Sequence, residues 1–282
     1  MKASDSPVEF VADTRRTSSS ALPVTDWRDG LPRRGRDCVV TEEAVALAYN
    51  GRSHVVMMAT PEHLDEFGLG FSLTEGIIVQ PDELLELTLI PGKRGTVISM
   101  RITTQRFESL ERMRRNLTGR TGCGLCGAES LEQAIREPNP VPDRQRFSHR
   151  AVQRALAGLA GRQPLQQATG GSHGAAWCET DGEIALLRED VGRHNALDKL
   201  CGVLQHPDRR QTARPGFITV TSRASYEMVL KAAAMQTELL VALSAPTQLA
   251  VALAERANIT LVAFARPGRH RIYSHPRRLV AP

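Results

Sequence analysis

The sequence predicts an α/β protein, a smaller N-terminal α+β lobe followed by a three-layer α/β domain. From residue 148 onward, apolar stretches of strand length alternate with single stretches of helical period, the pattern of strands joined by crossover helices. Ahead of them, Glu137-Pro138-Asn139-Pro140-Val141-Pro142 packs three prolines into a short span, which forbids regular structure and divides the chain. The 282 residues are 41% apolar but only 4% aromatic, enough for one large domain or two lobes with cores of Leu, Val, Ile and Ala. The expected division is a disordered tail over 1–35, the N-terminal lobe over 36–117, a mobile cysteine loop with Pro-rich linker over 118–147, and the α/β domain over 148–282.

Residues 1 to about 35 are rich in Ser, Pro, Arg and Asp without a sustained period, which predicts the tail. Cys38–Tyr49 and His54–Met58 predict a hairpin about Asn50-Gly51, a dipeptide suited to φ > 0. Thr60-Pro61-Glu62 reads as a helix start, and Leu64, Phe67, Phe71 and Leu73 supply its apolar side as far as Gly76. Leu84–Ile90 and Thr96–Ile102 predict paired strands across Pro91-Gly92, and Gln105–Leu117 a basic helix. Beyond the linker the prediction runs helix (148–161), hairpin (175–178 and 184–187, turning at Asp181-Gly182) and helix (195–204). It continues strand (217–221), helix (225–237), strand (239–243), helix (246–256) and strand (259–264), which implies a largely parallel sheet.

In such sheets ligands bind outside the carboxyl ends of the strands. Four polar clusters fall near strand ends: 169–173, 188–195, 221–225 and 265–269. Asp190, His194 and Asp198, spaced i, i+4, i+8, share one helix face if that helix starts early. Ala265-Arg266-Pro267-Gly268-Arg269 leaves the last strand with a Pro-Gly turn that brings backbone close to a phosphate, between two arginines able to bind it.

The stretch Thr121-Gly122-Cys123-Gly124-Leu125-Cys126-Gly127 puts two thiols three positions apart among glycines, unlike a packed helix or strand. Half a zinc site, a dithiol redox couple and a persulfide relay all use this spacing. Cys38, Cys178 and Cys201 stand alone in apolar contexts that suit packing, and neither they nor the histidines show metal-ligand spacing. Glycine-given mobility favours a relay over a dithiol held rigidly at a helix start.

The net charge of +5 and a pI near 9.2 invite a nucleic-acid reading, but the basic excess concentrates in five arginines between Arg266 and Pro282. No zinc-finger, RNA-stacking or helix-turn-helix pattern accompanies it, so neither nucleic acid nor, without an 18-residue apolar run, a membrane is an expected partner. Met1–Ser20 lacks an apolar signal core, and five cysteines without a framework fit reduced thiols in the cytoplasm.

Glu189-Asp190-Val191-Gly192-Arg193-His194-Asn195-Ala196-Leu197-Asp198-Lys199 closely resembles the signature of the formate dehydrogenase accessory sulfurtransferases. Gly70–Ile78, the Cys123/Cys126 loop, Ser225–Lys231, Ala245-Pro246-Thr247 and Tyr273–Arg277 resemble further family segments in the same order. Ser222-Arg223 departs from the family's usual Gly-Arg, which puts that loop's shape in question. The resemblance implies a C-terminal domain similar to cytidine deaminases, whose H-x-E and P-C-x-x-C zinc signature is absent here, so no zinc is expected. It further implies a sulfur carrier that takes sulfur from a cysteine desulfurase and passes it to the molybdenum cofactor of formate dehydrogenase, bis(molybdopterin guanine dinucleotide). The alternative is a cofactor-binding chaperone without direct sulfur transfer. Cys123 and Cys126 are the expected catalytic residues. Phe264, Ala265, Arg266, Pro267, Gly268 and Arg269 are expected to hold the guanine nucleotide end, with His194 and Arg223 as further contacts. The assembly is expected to be a homodimer.

Overall fold

In a computed structural model of the chain, the structure describes residues 10–11, 17–115, 137–206 and 214–281. The first lobe opens with β1 (Phe10–Val11), followed by β2 (Ser19–Arg28) and β3 (Leu31–Val40). β2 and β3 pair antiparallel along their whole length, in the stretch where the composition predicts a disordered tail. The pairing is local: Asp29 and Gly30 both take positive φ (52° and 82°), the geometry of a two-residue hairpin turn. Low apolar content argues against a core, and this hairpin has almost none, since Leu22, Trp27 and Leu31 are exposed. Backbone pairing and turn chemistry nevertheless order it.

β4 (Glu43–Tyr49) and β5 (Arg52–Ala59) form the expected hairpin, with Asn50 and Gly51 at φ 48° and 80°. β6 (Leu84–Gly92) and β7 (Gly95–Ile102) complete a sheet of order β1-β6-β7-β4-β5. Its inner face, with Val45, Leu47, Tyr49, Leu87, Ile98 and Met100 fully buried, is covered by α1 (Leu64–Thr74). That helix starts at Leu64 rather than at Thr60, because His63 sits in the left-handed region and Thr60 is bound elsewhere. α2 (Thr104–Arg115) follows β7.

The Pro-rich stretch from residue 137 is not a free linker. Val141 is buried, its N–H bonded to Ala257 O at 2.8 Å, and the Glu238 carboxylate accepts the Arg144 and Gln145 N–H groups at 3.0 Å. Prolines forbid helix and ladder, but they leave carbonyls and flanking amides that a neighbouring domain can bind. β8 (Phe147–Ser148) then leads into α3 (His149–Leu159), capped by Ser148 Oγ accepting from Ala151 N at 3.0 Å.

The second lobe continues through α4 (Pro164–Thr169), β9 (His173–Glu179), β10 (Ile184–Asp190) and α5 (Arg193–Gln205). After these come β11 (Gly216–Val220), α6 (Tyr226–Ala234), β12 (Leu239–Ala242), α7 (Gln248–Arg256), β13 (Thr260–Arg266), β14 (Arg269–Ile272) and β15 (Leu279–Val280), which pairs with β8. The six-stranded sheet has the order β10-β9-β11-β12-β13-β14. α3 packs on one face through Val152, Ala155 and Leu156; α5, α6 and α7 cover the other through Leu200, Val229 and Leu253. This is the three-layer α/β arrangement the strand–helix alternation predicts. The sheet is mixed rather than largely parallel, since only β11–β12 and β12–β13 run parallel. The hairpin at Asp181-Gly182 and the Pro267-Gly268 turn return the chain too quickly for a crossover, so both edges are antiparallel.

α1 and α5 join the lobes. A Cβ on Gly70 would lie 1.7 Å from Asp198 O, and one on Gly202 1.8 Å from Glu66 O, so the helices touch backbone to backbone. On the other side of α1, a Cβ on Gly68 would lie 2.8 Å from the Ile98 side chain, a less close approach. Glycine within a helix costs roughly 1 kcal/mol relative to alanine, and here it lets one helix serve two faces.

Candidate functional site at the carboxyl edge

The segment from Glu189 to Lys199 splits by direction. Its inward side chains lock the lobes together. Asp190, the last residue of β10, accepts from Thr60 N at 3.0 Å, Thr60 Oγ1 at 2.8 Å, Gly192 N at 2.7 Å and Asn195 Nδ2 at 3.0 Å. Lys199 Nζ lies 2.6 Å from its carboxylate and donates to Thr60 O and Oγ1. Burial draws the Lys199 ammonium below its ordinary pKa against the opposing pull of Asp190. Beside Lys199 in sequence, Asp198 anchors a second cluster: Lys231 on α6 meets Asp198 and Glu75, each at 2.8 Å, and donates to Thr74 Oγ1 at 2.9 Å. Burial opposes this charge too, but the two carboxylates more than offset it and hold Lys231 above its usual value. Arg188 adds a bidentate pair with Glu66 across the same seam at 2.5 and 2.7 Å.

Asp190, His194 and Asp198 therefore do not share a helix face. The helix begins at Arg193 with Gly192 as N-cap, so Asp190 belongs to the strand and Asp198 to the seam. Glu189 is also structural, accepting from Leu165 N, Gln166 N and Ser172 Oγ at the start of α4.

The outward residues define the carboxyl edge. Strands β10, β11, β12 and β13 all end on it; His194 and Arg223 follow β10 and β11, and Phe264–Arg269 spans the end of β13 and the turn after it. At about 4.8 Å per strand, His194 and the 264–269 turn are separated by four intervals, about 19 Å, with Arg223 between them. The structure thus sets the expected contacts along one rim rather than in one knot. His194 Nε2 lies 2.8 Å from Glu227 Oε2 but off the line of a hydrogen bond, and that pairing holds the Glu227 carboxyl below its usual range. Arg223 is exposed. Ser222 is outside the left-handed region, so the loop makes no demand for glycine there; its Oγ donates to Arg223 O at 3.0 Å. Backbone bonds from Ala224 N to Ala245 O and from Thr247 N to Ala224 O tie this loop to the next.

Phe264 adopts φ 49° at a register shift in β13, unusual for an aromatic residue, and donates its N–H to Ser244 O at 3.0 Å. The twist exposes its ring, with the Arg271 guanidinium 5.0 Å from the ring centroid, and buries Ala265. Arg266 Nη1 donates to Ala265 O at 2.9 Å and to Leu243 O, tying its guanidinium to the ends of β12 and β13. Gly268 turns the chain at φ 78° and Arg269 is exposed beyond it. Arg193 Nε and Ser225 Oγ, within the 188–195 and 221–225 clusters, are buried side-chain atoms with no hydrogen-bond partner among the described residues. Their motifs were legible in the sequence; that these atoms stand unpartnered is visible only in the structure.

Cys123 and Cys126 lie outside the described residues. The remaining second-lobe thiols are poor nucleophiles: burial pushes Cys178 up to about 12, and Cys201 is also raised well above the ordinary thiol value. Cys38 on β3 is partly exposed. No helix among the described residues is long and apolar enough to cross a membrane.

Residues 40–280 match the FdhD/NarQ family. The chain is 49% identical over 267 residues to the sulfur carrier protein FdhD of Cupriavidus necator, covering 95% of this chain and 92% of that one. It is 46% identical over 264 residues to the sulfur carrier protein FdhD of Xanthomonas campestris pv. campestris strain B100, covering 94% and 93%. Its fold is similar to the crystal structure of a protein from Desulfotalea psychrophila described as a formate dehydrogenase accessory protein, with a TM-score of 0.74, 25% identity, and coverage of 94% of this chain and 100% of that one. With its signature segment bridging two lobes and a strand-end rim beside it, the chain belongs to the FdhD/NarQ family.

Proposed function

We propose that this chain is a sulfur carrier that serves formate dehydrogenase by a persulfide relay. The Cys123 thiolate attacks the sulfane sulfur of a cysteine desulfurase persulfide; that S–S bond breaks, the desulfurase thiolate leaves, and Cys123 becomes the persulfide. Cys126 assists or resolves it. Cys123 takes the first role because glycine flanks it on both sides, whereas Leu125 precedes Cys126. The acceptor is the molybdenum cofactor, bis(molybdopterin guanine dinucleotide), bound as substrate. Its guanine nucleotide end rests on Phe264–Arg269, and His194 and Arg223 meet the rest along the rim. The protein acts in the cytoplasm as a homodimer.

The observation that supports transfer most is the chemistry of the other thiols. Cys178 and Cys201 are buried with raised pKa and Cys38 stands alone on β3, so the Cys-Gly-Leu-Cys pair is the dithiol suited to a relay. The rim supports cofactor binding because Arg223 and Arg269 are exposed on it and Arg266 stands at the end of β13, cations suited to an anionic ligand.

Intact-mass measurement after incubation with desulfurase and cysteine is expected to show one added sulfur on the Cys123 peptide, absent in Cys123→Ala. Cys38→Ala, Cys178→Ala and Cys201→Ala should each accept sulfur normally. If the Cys123→Ala/Cys126→Ala double variant still activates formate dehydrogenase fully, the chain is a chaperone instead. Calorimetry with guanosine diphosphate tests the rim: Arg266→Ala/Arg269→Ala should weaken binding by about 1.5–3 kcal/mol per lost charged contact.

A further inference from the structure

Beneath the 264–269 turn, α3 and β14 enclose an open hollow of about 740 Å³ lined by His149, Gln153, Gly268, Arg269, His270 and Pro276. Three polar side chains in it form a single chain. Gly268 N–H donates to Gln153 Oε1 at 2.7 Å, Gln153 Nε2 lies 3.0 Å from His270 Nδ1, and His270 Nε2 lies 2.9 Å from His149 Nδ1. The two imidazole planes are near parallel, 18° apart, with centroids 5.1 Å apart, so the rings meet edge to edge.

We propose that Gln153 is a positioning residue for the Pro267-Gly268 turn, and that the His270–His149 pair holds Gln153 in place only while both rings are neutral. The proton positions follow from the donors. Gly268 N–H can only donate, so Gln153 must offer it the carbonyl oxygen, which leaves the amide nitrogen facing His270. That nitrogen only donates, so His270 Nδ1 accepts and carries its proton on Nε2. His149 Nδ1 then accepts in turn, with its own proton on Nε2.

Protonating either ring sets donor against donor. A charged His270 turns an Nδ1–H onto the Gln153 amide, and a charged His149 turns an Nδ1–H onto His270 Nε2–H. The first conflict is relieved by turning the Gln153 amide over, which then faces Gly268 N–H with its own NH₂. Acid therefore releases the turn. The surroundings favour a neutral His270: burial first, then His149, pulls it below the usual imidazole range. Arg150 beside His149, with Arg269 and Arg271 flanking His270, are exposed cations; Arg154 is engaged by Asp181 and Glu183, and Arg277 by Asp143.

The consequence for a ligand rests on the nucleotide placement proposed above, and the test separates the two. The probes are the Gly268 amide and His270 imidazole shifts from pH 5 to 8 in wild type, Gln153→Leu and Gln153→Glu, with guanosine diphosphate affinity at both ends of the range. In wild type the Gly268 amide should move with the His270 midpoint, and the nucleotide should bind about tenfold more weakly in acid. Gln153→Leu should abolish the pH response of Gly268. Gln153→Glu, whose carboxylate accepts from both Gly268 and a protonated His270, should raise the His270 midpoint by about one pH unit and keep the turn closed in acid. A Gly268 amide that ignores His270, an unmoved midpoint in Gln153→Glu, or equal nucleotide affinity at both pH values overturns the proposal. If the nucleotide binds at neither pH while the amide tracks His270, the latch stands and the nucleotide placement fails.

Discussion

Two buried lysines sit within one signature-bearing seam, and they are held differently. Lys199 has one carboxylate, Asp190, and Lys231 has two, Asp198 and Glu75. Burial opposes both charges, but it outweighs the single carboxylate in contact with Lys199, whereas the two in contact with Lys231 outweigh it: Lys199 is pulled below its ordinary pKa and Lys231 is held above it. A buried ion pair is therefore not one kind of object. Lys199 is drawn towards neutrality and depends on one acid, while Lys231 stays charged because its site has acid in excess.

The largest expected effect is that of Asp190→Ala. It leaves Lys199 buried without its carboxylate and orphans Thr60, Gly192 and Asn195 donors, which should cost about 3–5 kcal/mol in denaturant titration near pH 7. For a cation depressed in the folded state, the unfolded chain binds more protons, so stability rises with pH towards the unfolded value of about 10.4. Part of the loss in Asp190→Ala should thus return on raising the pH. A loss independent of pH would show that Lys199 is already neutral there.

Asp198→Ala should cost less, about 3 kcal/mol, because Glu75 remains beside Lys231. Here the sign reverses. Lys231 is raised in the folded state, so its contribution is complete below the unfolded pKa and is lost as pH climbs through the folded one. Alkaline denaturation of wild type should therefore lose the Lys231 contribution, and Asp198→Ala should flatten that limb. Equal alkaline limbs in the two proteins would erase the distinction between the lysines.

Gly70→Ala tests whether helix contact sets both clusters. Its methyl meets Asp198 O, so α1 and α5 must part, at a cost of about 1–3 kcal/mol. The smallest effect should be that of Thr74→Val, which removes a hydroxyl shared by Asp198 and Lys231 and should cost about 1 kcal/mol. If Thr74→Val proved as costly as Asp198→Ala, the hydroxyl rather than the second carboxylate would be what holds Lys231.

Elements defined by neighbours in the chain were legible beforehand. Asn50-Gly51 and Asp181-Gly182 turn where their φ freedom allows, and the strand–helix alternation after residue 148 forms the three layers. The β2–β3 hairpin was missed because a disorder argument weighs buried apolar area, and this hairpin is held by Asp29-Gly30 and backbone pairing. β14 was missed because Arg269–Ile272 is short, polar and half exposed, and is a strand only because β13 offers it an edge.

The sequence by itself determined which residues could do chemistry and roughly where the strands end, since thiol spacing, turn residues and apolar period are local properties. It could not tell an inward acid from an outward one. Asp190, Asp198 and His194 read alike as polar residues beside a strand end, yet two of them close a lobe interface and one reaches the rim. That division was decided by α1 packing on α5, a contact between segments more than a hundred residues apart. Only tertiary structure decides whether a polar side chain faces water, a ligand or another lobe.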